Sequence, residues 1–430
     1  MNDRRFRLNL NSSRSGTLKA PILALRVKLC KLFFAASARA RDEMMSNVSG
    51  TNPQPPGRHE SVRTLLRAGK NDEAIVQLSA ICITRPDDIE AKELLFDAFY
   101  QKRDWAPALV LAEQLGSGRP DNARLQKSLI ATLSNMRRFD EAIPKALQYI
   151  ERHGEDLTML DALKVAHFYT GKVEEAIRYG QRALDLRDAE ACRLPRTVSM
   201  KEPSGPPSGH NVISFSLWGT APFYSYGAMI NLVLSRTVYP GWTCRFYVDA
   251  TVPPACVGFL RDNGADVRNI EDEYPGVGLF QRFLVMNDRT VGRFLVRDCD
   301  ARLSAAEADL VRQWIDSDYP FHVVRDHVLH NELMIGCTWA GRTDCGIDIV
   351  ELMRRYFTLG PTAKYGHDQR MLGLLLWPLI RKHCLVHDKY YRLPGVDTVA
   401  LRDPSHFGAG HQNIDAVLAE VDRLGIPRLP

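Results

Sequence analysis

A 34-residue register, repeated four times ahead of the middle of the chain, limits what this sequence can fold into more than any other feature. Ala68-Gly69-Lys70, Lys102-Arg103-Asp104, Met136-Arg137-Arg138 and Thr170-Gly171-Lys172 start at positions 68, 102, 136 and 170. Ala74, Ala108, Ala142 and Ala176 share one place in that frame, and Pro86 and Pro120 align at the ends of their units. This period predicts paired helices whose apolar faces are covered only by neighbouring pairs. Alanine at a crossing lets two helices approach closely.

The register resembles that of tetratricopeptide repeats, with the Trp and Tyr positions of the ideal motif mostly replaced. Such an array either offers a surface to a peptide or partner protein or braces the domain that follows. No residue in it looks catalytic.

At 430 residues the chain is long enough for two cores. Its 45% apolar and 25% charged composition is that of a folded protein. The net charge of +5 comes largely from the leader, where ten basic residues between Arg4 and Arg41 face almost no acids. A general nucleic-acid surface is therefore not expected. Nine scattered cysteines without a C-x-x-C pair read as reduced thiols of a cytoplasmic protein. Lys19, Arg26, Lys28 and Lys31 interrupt the apolar run from Leu18 to Ala36, so no transmembrane segment is expected. Weak peripheral contact with the inner face of a membrane stays open, as does a signal-cleavage site within Ala35 to Ala40. With Met44 and Met45 downstream, the leader also reads as an over-long segment that never folds.

After Asp188 the register stops, and the Pro/Gly/Ser-rich stretch Lys201 to Gly209 reads as linker. Beyond it, short β-branched runs alternate with helical patterns. Strands are expected at Val212–Leu217, Cys244–Val248, Asp266–Ile270 and Phe294–Val296, and helices at Tyr224–Ser235, Pro253–Asn263 and Phe280–Met286. That order predicts a mostly parallel sheet between helices, with ligands at the carboxyl ends of its strands. The expected organisation is a basic leader at 1–57, repeats at 58–190, linker at 191–210, an α/β domain at 211–415, and a C-terminal helix and tail at 416–430.

Three strand ends carry chemistry. The first leads into Trp218, Gly219 and Tyr224, which suit a flat ring such as a nucleobase or else serve as core or lid. No Gly-x-Gly-x-x-Gly follows, which argues against a dinucleotide-binding half. Arg293 to Arg297 runs directly into Asp298-Cys299-Asp300. Two carboxylates spaced this way can hold one hard cation and leave positions open for phosphate oxygens; a cation there neutralises a departing diphosphate. Arg297 and Arg302 stand beside the triplet, and Arg282 precedes it, either neutralising phosphate or forming a plain salt bridge. The strand Phe321–Val324 ends in Arg325-Asp326-His327 with His330 following, so Asp326 either recognises sugar hydroxyls or pairs with Arg325. His327 and His330, three apart, are by themselves too few for an independent zinc site.

From Val212 to about His411 the chain resembles GT-A glycosyltransferases, on Arg297-Asp298-Cys299-Asp300-Ala301-Arg302-Leu303-Ser304 and Phe321-His322-Val323-Val324-Arg325-Asp326-His327. These segments look like a little-characterised bacterial group with a tetratricopeptide array before such a domain. The resemblance covers about half the chain. It implies an α + α/β protein whose Rossmann-like domain binds a nucleotide-sugar donor through Mn²⁺ or Mg²⁺ at Asp298 and Asp300. Ser405-His406-Phe407-Gly408 is similar to the His-Phe-x-Gly stretch of glycogenin-like members, which implies His406 as third metal ligand, with His411 the alternative. The likeness also implies an acidic residue in the cleft at Asp368, which otherwise caps the helix after it; in an inverting enzyme Asp368 is the base that deprotonates the acceptor hydroxyl.

The expected activity is transfer of a hexosyl or similar unit to an acceptor hydroxyl that the sequence does not identify. A noncatalytic scaffold with a degenerate transferase fold is the rival. A metal-dependent phosphohydrolase ranks lower, because the chain has neither a P-loop nor a dense His/Asp cluster in its sequence.

Overall fold

The computed structural model describes residues 59–117, 119, 121–196, 198–269, 278–359, 366–402 and 406–429. The leader, Pro120, Ile270, Tyr365 and Ser405 lie outside the described residues. The chain divides into two compact units, Met1–Ala162 and Leu163–Pro430. The division falls well ahead of the boundary at 190 expected from the end of the repeat register. No helix of the described residues is long and apolar enough to cross a membrane.

The first unit is helical. It holds α1 (Glu60–Arg67), α2 (Asn71–Thr84), α3 (Ile89–Gln101), α4 (Trp105–Ser117), α5 (Ala123–Asn135), α6 (Phe139–His153) and the start of α7 (Leu157–Tyr169). Ala74, Ala108 and Ala142 are all buried in the core of the array. The repeated tripeptides are the turns between paired helices. Their middle residues, Gly69, Arg103, Arg137 and, in the second unit, Gly171, have φ of 72°, 58°, 57° and 79°. At each turn the same two bonds close the first helix, as in Gly69 N to Leu66 O at 3.1 Å and Lys70 N to Leu65 O at 2.9 Å. These bonds satisfy carbonyls that a helix end leaves free. Left-handed backbone costs a non-glycine residue about 1–2 kcal/mol. Arg103→Gly is therefore expected to raise stability in thermal unfolding by up to about 1 kcal/mol, and Gly69→Ala to lower it by about 1 kcal/mol.

In the second unit, the rest of α7 and α8 (Val173–Arg193) precede an eight-stranded sheet. Its strands are β1 (His210–Leu217), β2 (Trp242–Val248), β3 (Asp266–Asn269), β4 (Val291–Arg297), β5 (Phe321–Arg325), β6 (Trp339–Arg342), β7 (Cys384–Asp388) and β8 (Thr398–Ala400). The order is β3-β2-β1-β4-β6-β5-β7-β8. Every pairing is parallel except those of β6 with β4 and β5. The period-2 alternation of strands sends their residues to two cores. Val212, Phe294, Val296, Phe321, Val323 and Val386 face one core, with α12 (Ile349–Thr358) and the helical run from Leu372 to Ile380. Ile213, Phe215, Phe246, Leu295 and Leu385 face the other, with α9 (Pro222–Val238), α10 (Pro254–Asp262), α11 (Ala305–Ile315) and α14 (Ile414–Arg423).

Helix α8 belongs to the first of these cores. Leu184 and Ala191 are buried in it, and Asp188 accepts from Trp377 Nε1 at 2.7 Å and from Arg381 Nη2 at 2.8 Å. Residues 201–209 have neither helix nor strand, yet Lys201 N donates to Cys345 O at 2.8 Å and Arg342 Nη2 to Gly205 O at 2.8 Å. Gly278–Asn287 is a 3₁₀ run where an α-helix is expected from Phe280 to Met286. Here Ser214 Oγ donates to Arg282 O at 2.6 Å and Arg282 N donates to Ser216 Oγ at 2.8 Å. Both main-chain groups are thereby turned from helical bonding toward β1. The eight described cysteines are free, and all but Cys192 are buried.

His322 on β5 and His387 on β7 meet inside the protein, Nε2 to Nδ1 at 2.7 Å, and Gln313 Oε1 lies 3.2 Å from His387 Nε2. His387 Nε2 therefore donates to Gln313, and its Nδ1 accepts from His322. Burial holds His387 down at about 4 and, joined by repulsion from His387 and Arg297, holds His322 well below the ordinary range. Both rings are neutral in the fold, so their contribution is complete above about pH 6.5 and is lost as pH falls toward 4. The expected thermal midpoint drops through that window, and less so in His387→Gln.

Candidate functional site

The strand order reverses about β1, with β2 on one side and β4 on the other. A crevice at the carboxyl ends of strands at such a reversal is the usual ligand position of open α/β sheets. There β1 leads into Trp218-Gly219 and β4 into Asp298-Cys299-Asp300. Cys299 is the inward member of the triplet: it is buried and its Sγ donates to Ser216 O at 3.4 Å. The Asp298 side chain is 35% exposed, whereas Asp300 is buried, at 7%.

Helix α9 holds this loop from behind. Buried Asn231 donates from Nδ2 to Cys299 O at 3.1 Å and Ala301 O at 2.8 Å, and its Oδ1 accepts from Leu303 N at 3.1 Å. One turn earlier is Gly227, where a Cβ would lie 2.2 Å from Cys299 O. The helix can approach the loop this closely only without a side chain there.

Buried Arg282 spans two carboxylates. Its Nη1 is bonded to Asp298 Oδ1, and its Nη2 to Asp368 Oδ2 at 2.7 Å. Burial opposes the guanidinium charge, but Asp298 and Asp368 more than offset it and hold Arg282 protonated. Burial raises the Asp368 carboxyl, with Arg282 acting in the opposite sense. Because β6 is antiparallel, the residues before it lie alongside the end of β4. Gly336 leaves space for the Arg282–Asp368 pair, since a Cβ there would sit 2.1 Å from Asp368 Oδ2. Burial, followed by the Asp298 charge, pushes the neighbouring Cys337 thiol well above its usual range, so it stays protonated.

Asp300 has no cationic ion-pair partner among the described residues. Its Oδ2 accepts from Gln412 Nε2 at 3.1 Å, and its main-chain carbonyl accepts from His411 N at 2.8 Å. Burial raises its carboxyl, and the Asp298 charge adds to the effect. Burial raises the hydroxyl of Tyr224, in the first turn of α9, and the charges of Asp300 and Asp298 act in the same sense. Trp218 packs at Gly278, and Gly219, at φ 77°, donates from N to Thr251 Oγ1 at 2.5 Å. The three carboxylates of Asp298, Asp300 and Asp368 against the one guanidinium of Arg282 leave a formal charge of −2. A divalent cation matches that excess, and the carboxylate oxygens of Asp298 and Asp300 are of the chemistry Mn²⁺ or Mg²⁺ takes.

Several of the expected site residues are engaged by other groups of the fold. Asp368 lies in the first turn of α13 (His367–Met371), whose cap is Gly366. Its carboxylate is buried and ion-paired to Arg282, so in this arrangement it positions Arg282. Asp326 is likewise enclosed. Its Oδ1 lies 2.6 Å from His330 Nδ1, while Oδ2 accepts from Phe407 N and from Gly408 N at 3.3 Å, leaving no free edge for a sugar. Nor does Asp326 pair with Arg325, which binds Asp388. Arg297 is buried against Glu307 at 2.7 Å, and Arg302 is bound to Glu420 at 2.8 Å. Each guanidinium is thus paired with a glutamate. His406 stands with His330 and Asp326, its Nε2 3.4 Å from His330 Nε2. The alternative, His411, is the histidine whose main chain reaches Asp300.

Gly227, Asn231, Ser214, Ser216 and Gly336 are the supporting residues that the sequence reading does not single out. One signal was available: Ser214 and Ser216 alternate within an otherwise apolar strand, where a buried hydroxyl needs a partner. The glycines gave none, because their neighbours come from other elements.

No known family model and no curated protein matches this chain. Among solved structures, MamA AMB-1 matches at 22% identity over 31% of this chain and 75% of that one, with a TM-score of 0.28. MamA MSR-1 matches at 20% identity over 38% and 98%, with a TM-score of 0.30. A mutant O-GlcNAc transferase of Thermobaculum terrenum matches at 12% identity over 85% and 71%, with a TM-score of 0.36. These are loose likenesses of arrangement; the chain itself is a helical array followed by a mostly parallel mixed sheet.

Proposed function

We propose that the sheet domain is a GT-A-type glycosyltransferase that moves a sugar from a nucleoside-diphosphate donor to an acceptor hydroxyl. The observation that carries this reading is the carboxylate pair Asp298 and Asp300 at the end of β4, beside the strand-order reversal, with a local excess of negative charge. Asp298 and Asp300 would hold Mn²⁺ or Mg²⁺, which when bound supplies positive charge to the departing diphosphate. The chain's own residues do the rest. Arg282, fixed by Ser214, Ser216 and Asp368, holds Asp298 in place. Trp218 and Tyr224 offer flat faces to a base or sugar. Asn231 and Gly227 keep the triplet at the crevice. The helical array is proposed to hold a protein partner or the acceptor.

The test is calorimetric titration of the protein with UDP-, GDP- and CMP-sugars, with and without Mn²⁺. One donor is expected to bind in a metal-dependent way, and Asp298→Ala and Asp300→Ala each to weaken it at least ~100-fold, the scale of losing a charged contact. The Arg282–Asp298 ion pair favours one second reading, in which the guanidinium has taken the cation's place and the domain is a noncatalytic scaffold. In that case no donor binds the wild type under either condition.

A further inference from the structure

We propose a second, nitrogen-ligated metal site, formed by His330 and His406 with Asp326 behind it, that takes Zn²⁺ or a similar borderline cation. The two imidazole Nε2 atoms face each other at 3.4 Å. That is long for an N–H···N hydrogen bond. It matches the separation of two nitrogens on one tetrahedral zinc, about 3.3–3.4 Å for Zn–N bonds of about 2.0–2.1 Å.

The proton positions agree. His330 Nδ1 lies 2.6 Å from Asp326 Oδ1, so Nδ1 is the nitrogen that donates and Nε2 is the one free to ligate. A carboxylate on the far nitrogen of a metal-bound histidine is the common way of orienting such a ligand. Asp326 is enclosed, and its other oxygen holds Phe407 N and Gly408 N. One carboxylate thus fixes the His330 ring directly and the His406 loop through its main chain. His327 stacks on His406 with centroids 4.5 Å apart, but its Nδ1 accepts from Leu329 N at 3.2 Å. His327 is therefore a wall of the site and not a ligand. His406 is exposed and His330 half-buried, so the site opens to solvent and two metal positions are left for water or an anionic oxygen. His330 and His406 supply two protein ligands, fewer than the three of catalytic or the four of structural zinc sites, so the ion is an exchangeable one whose other positions water or an anion fills.

The site does not depend on the transferase reading. Untagged full-length protein is stripped with chelator, dialysed against Zn²⁺, and its zinc content measured; Co²⁺ serves as the spectroscopic probe of nitrogen ligation. Wild type is expected to retain one equivalent more than His406→Ala or His330→Gln, with Asp326→Asn weakened 10–100-fold. Because the His406 side chain is exposed, His406→Ala is expected to keep the thermal midpoint of the metal-free protein, so a loss of zinc there is not a loss of fold. Asp298→Ala and Asp300→Ala are expected to retain this equivalent, which separates it from the carboxylate site. Equal zinc in wild type and His406→Ala, or none in wild type, overturns the proposal.

Discussion

Replacing Asp388 with alanine is expected to cost about 3–5 kcal/mol of folding stability, read in chemical denaturation, because it strands a buried guanidinium. Asp388 and Arg325 have no side-chain exposure. Besides the Arg325 Nε bond, Asp388 Oδ1 accepts from Tyr390 N at 2.8 Å and Tyr391 N at 2.7 Å. Arg325 also donates from Nη1 to Leu333 O at 2.9 Å. The pair locks the ends of β5 and β7 in register, and Asp326 is the next residue along. Asp388→Leu combined with Arg325→Met removes both charges and is expected to cost clearly less than Asp388→Ala. The exposed pair Arg312–Asp309 supplies the contrast: Asp309→Ala is expected to change stability by less than ~1 kcal/mol.

Gly227→Ala is expected to destabilise by about 1–3 kcal/mol and to remove most donor binding, since its methyl would meet the Cys299 carbonyl at 2.2 Å. The strain falls on the loop that carries Asp298 and Asp300. Gly258, inside α10, is the matched control, because a Cβ there has nothing within 4 Å. Gly258→Ala is expected to stabilise by about 0.5–1 kcal/mol, the intrinsic helical preference for alanine. Equal effects of the two substitutions would mean that Gly227 is merely another helical glycine.

The contrast between those glycines also marks how far sequence carries. The turns at Gly69, Arg103, Arg137 and Gly171 were legible because a repeat writes the same local physics four times. β1 to β5 were legible as short β-branched or aromatic runs, whereas β6, β7 and β8 were not read as strands, and Asp298-Cys299-Asp300 was legible from its place after a buried apolar run. What was not legible depends on long-range pairing. Arg325 stands next to Asp326 in the chain but binds Asp388 on a neighbouring strand, and Arg297 stands next to Asp298 but binds Glu307 on α11. Adjacent residues on a strand point to opposite faces, so sequence neighbours are poor guides to ion pairs. Antiparallel β6 brings Gly336 and Cys337 beside the carboxylates, and its direction is set by packing that no local pattern encodes. Likewise α8 continues the repeat register while contributing Leu184 and Ala191 to the core of the sheet domain.

The central claim is that Asp298 and Asp300 serve a departing nucleoside diphosphate. Its most direct test is to incubate the protein with each nucleotide sugar and Mn²⁺, without added acceptor, and to identify the liberated phosphate species. The expected result is slow release of the nucleoside diphosphate from one donor, with water as the acceptor, abolished by chelator and by either Asp298→Ala or Asp300→Ala. Release of inorganic phosphate, or diphosphate release that survives both substitutions, would contradict it.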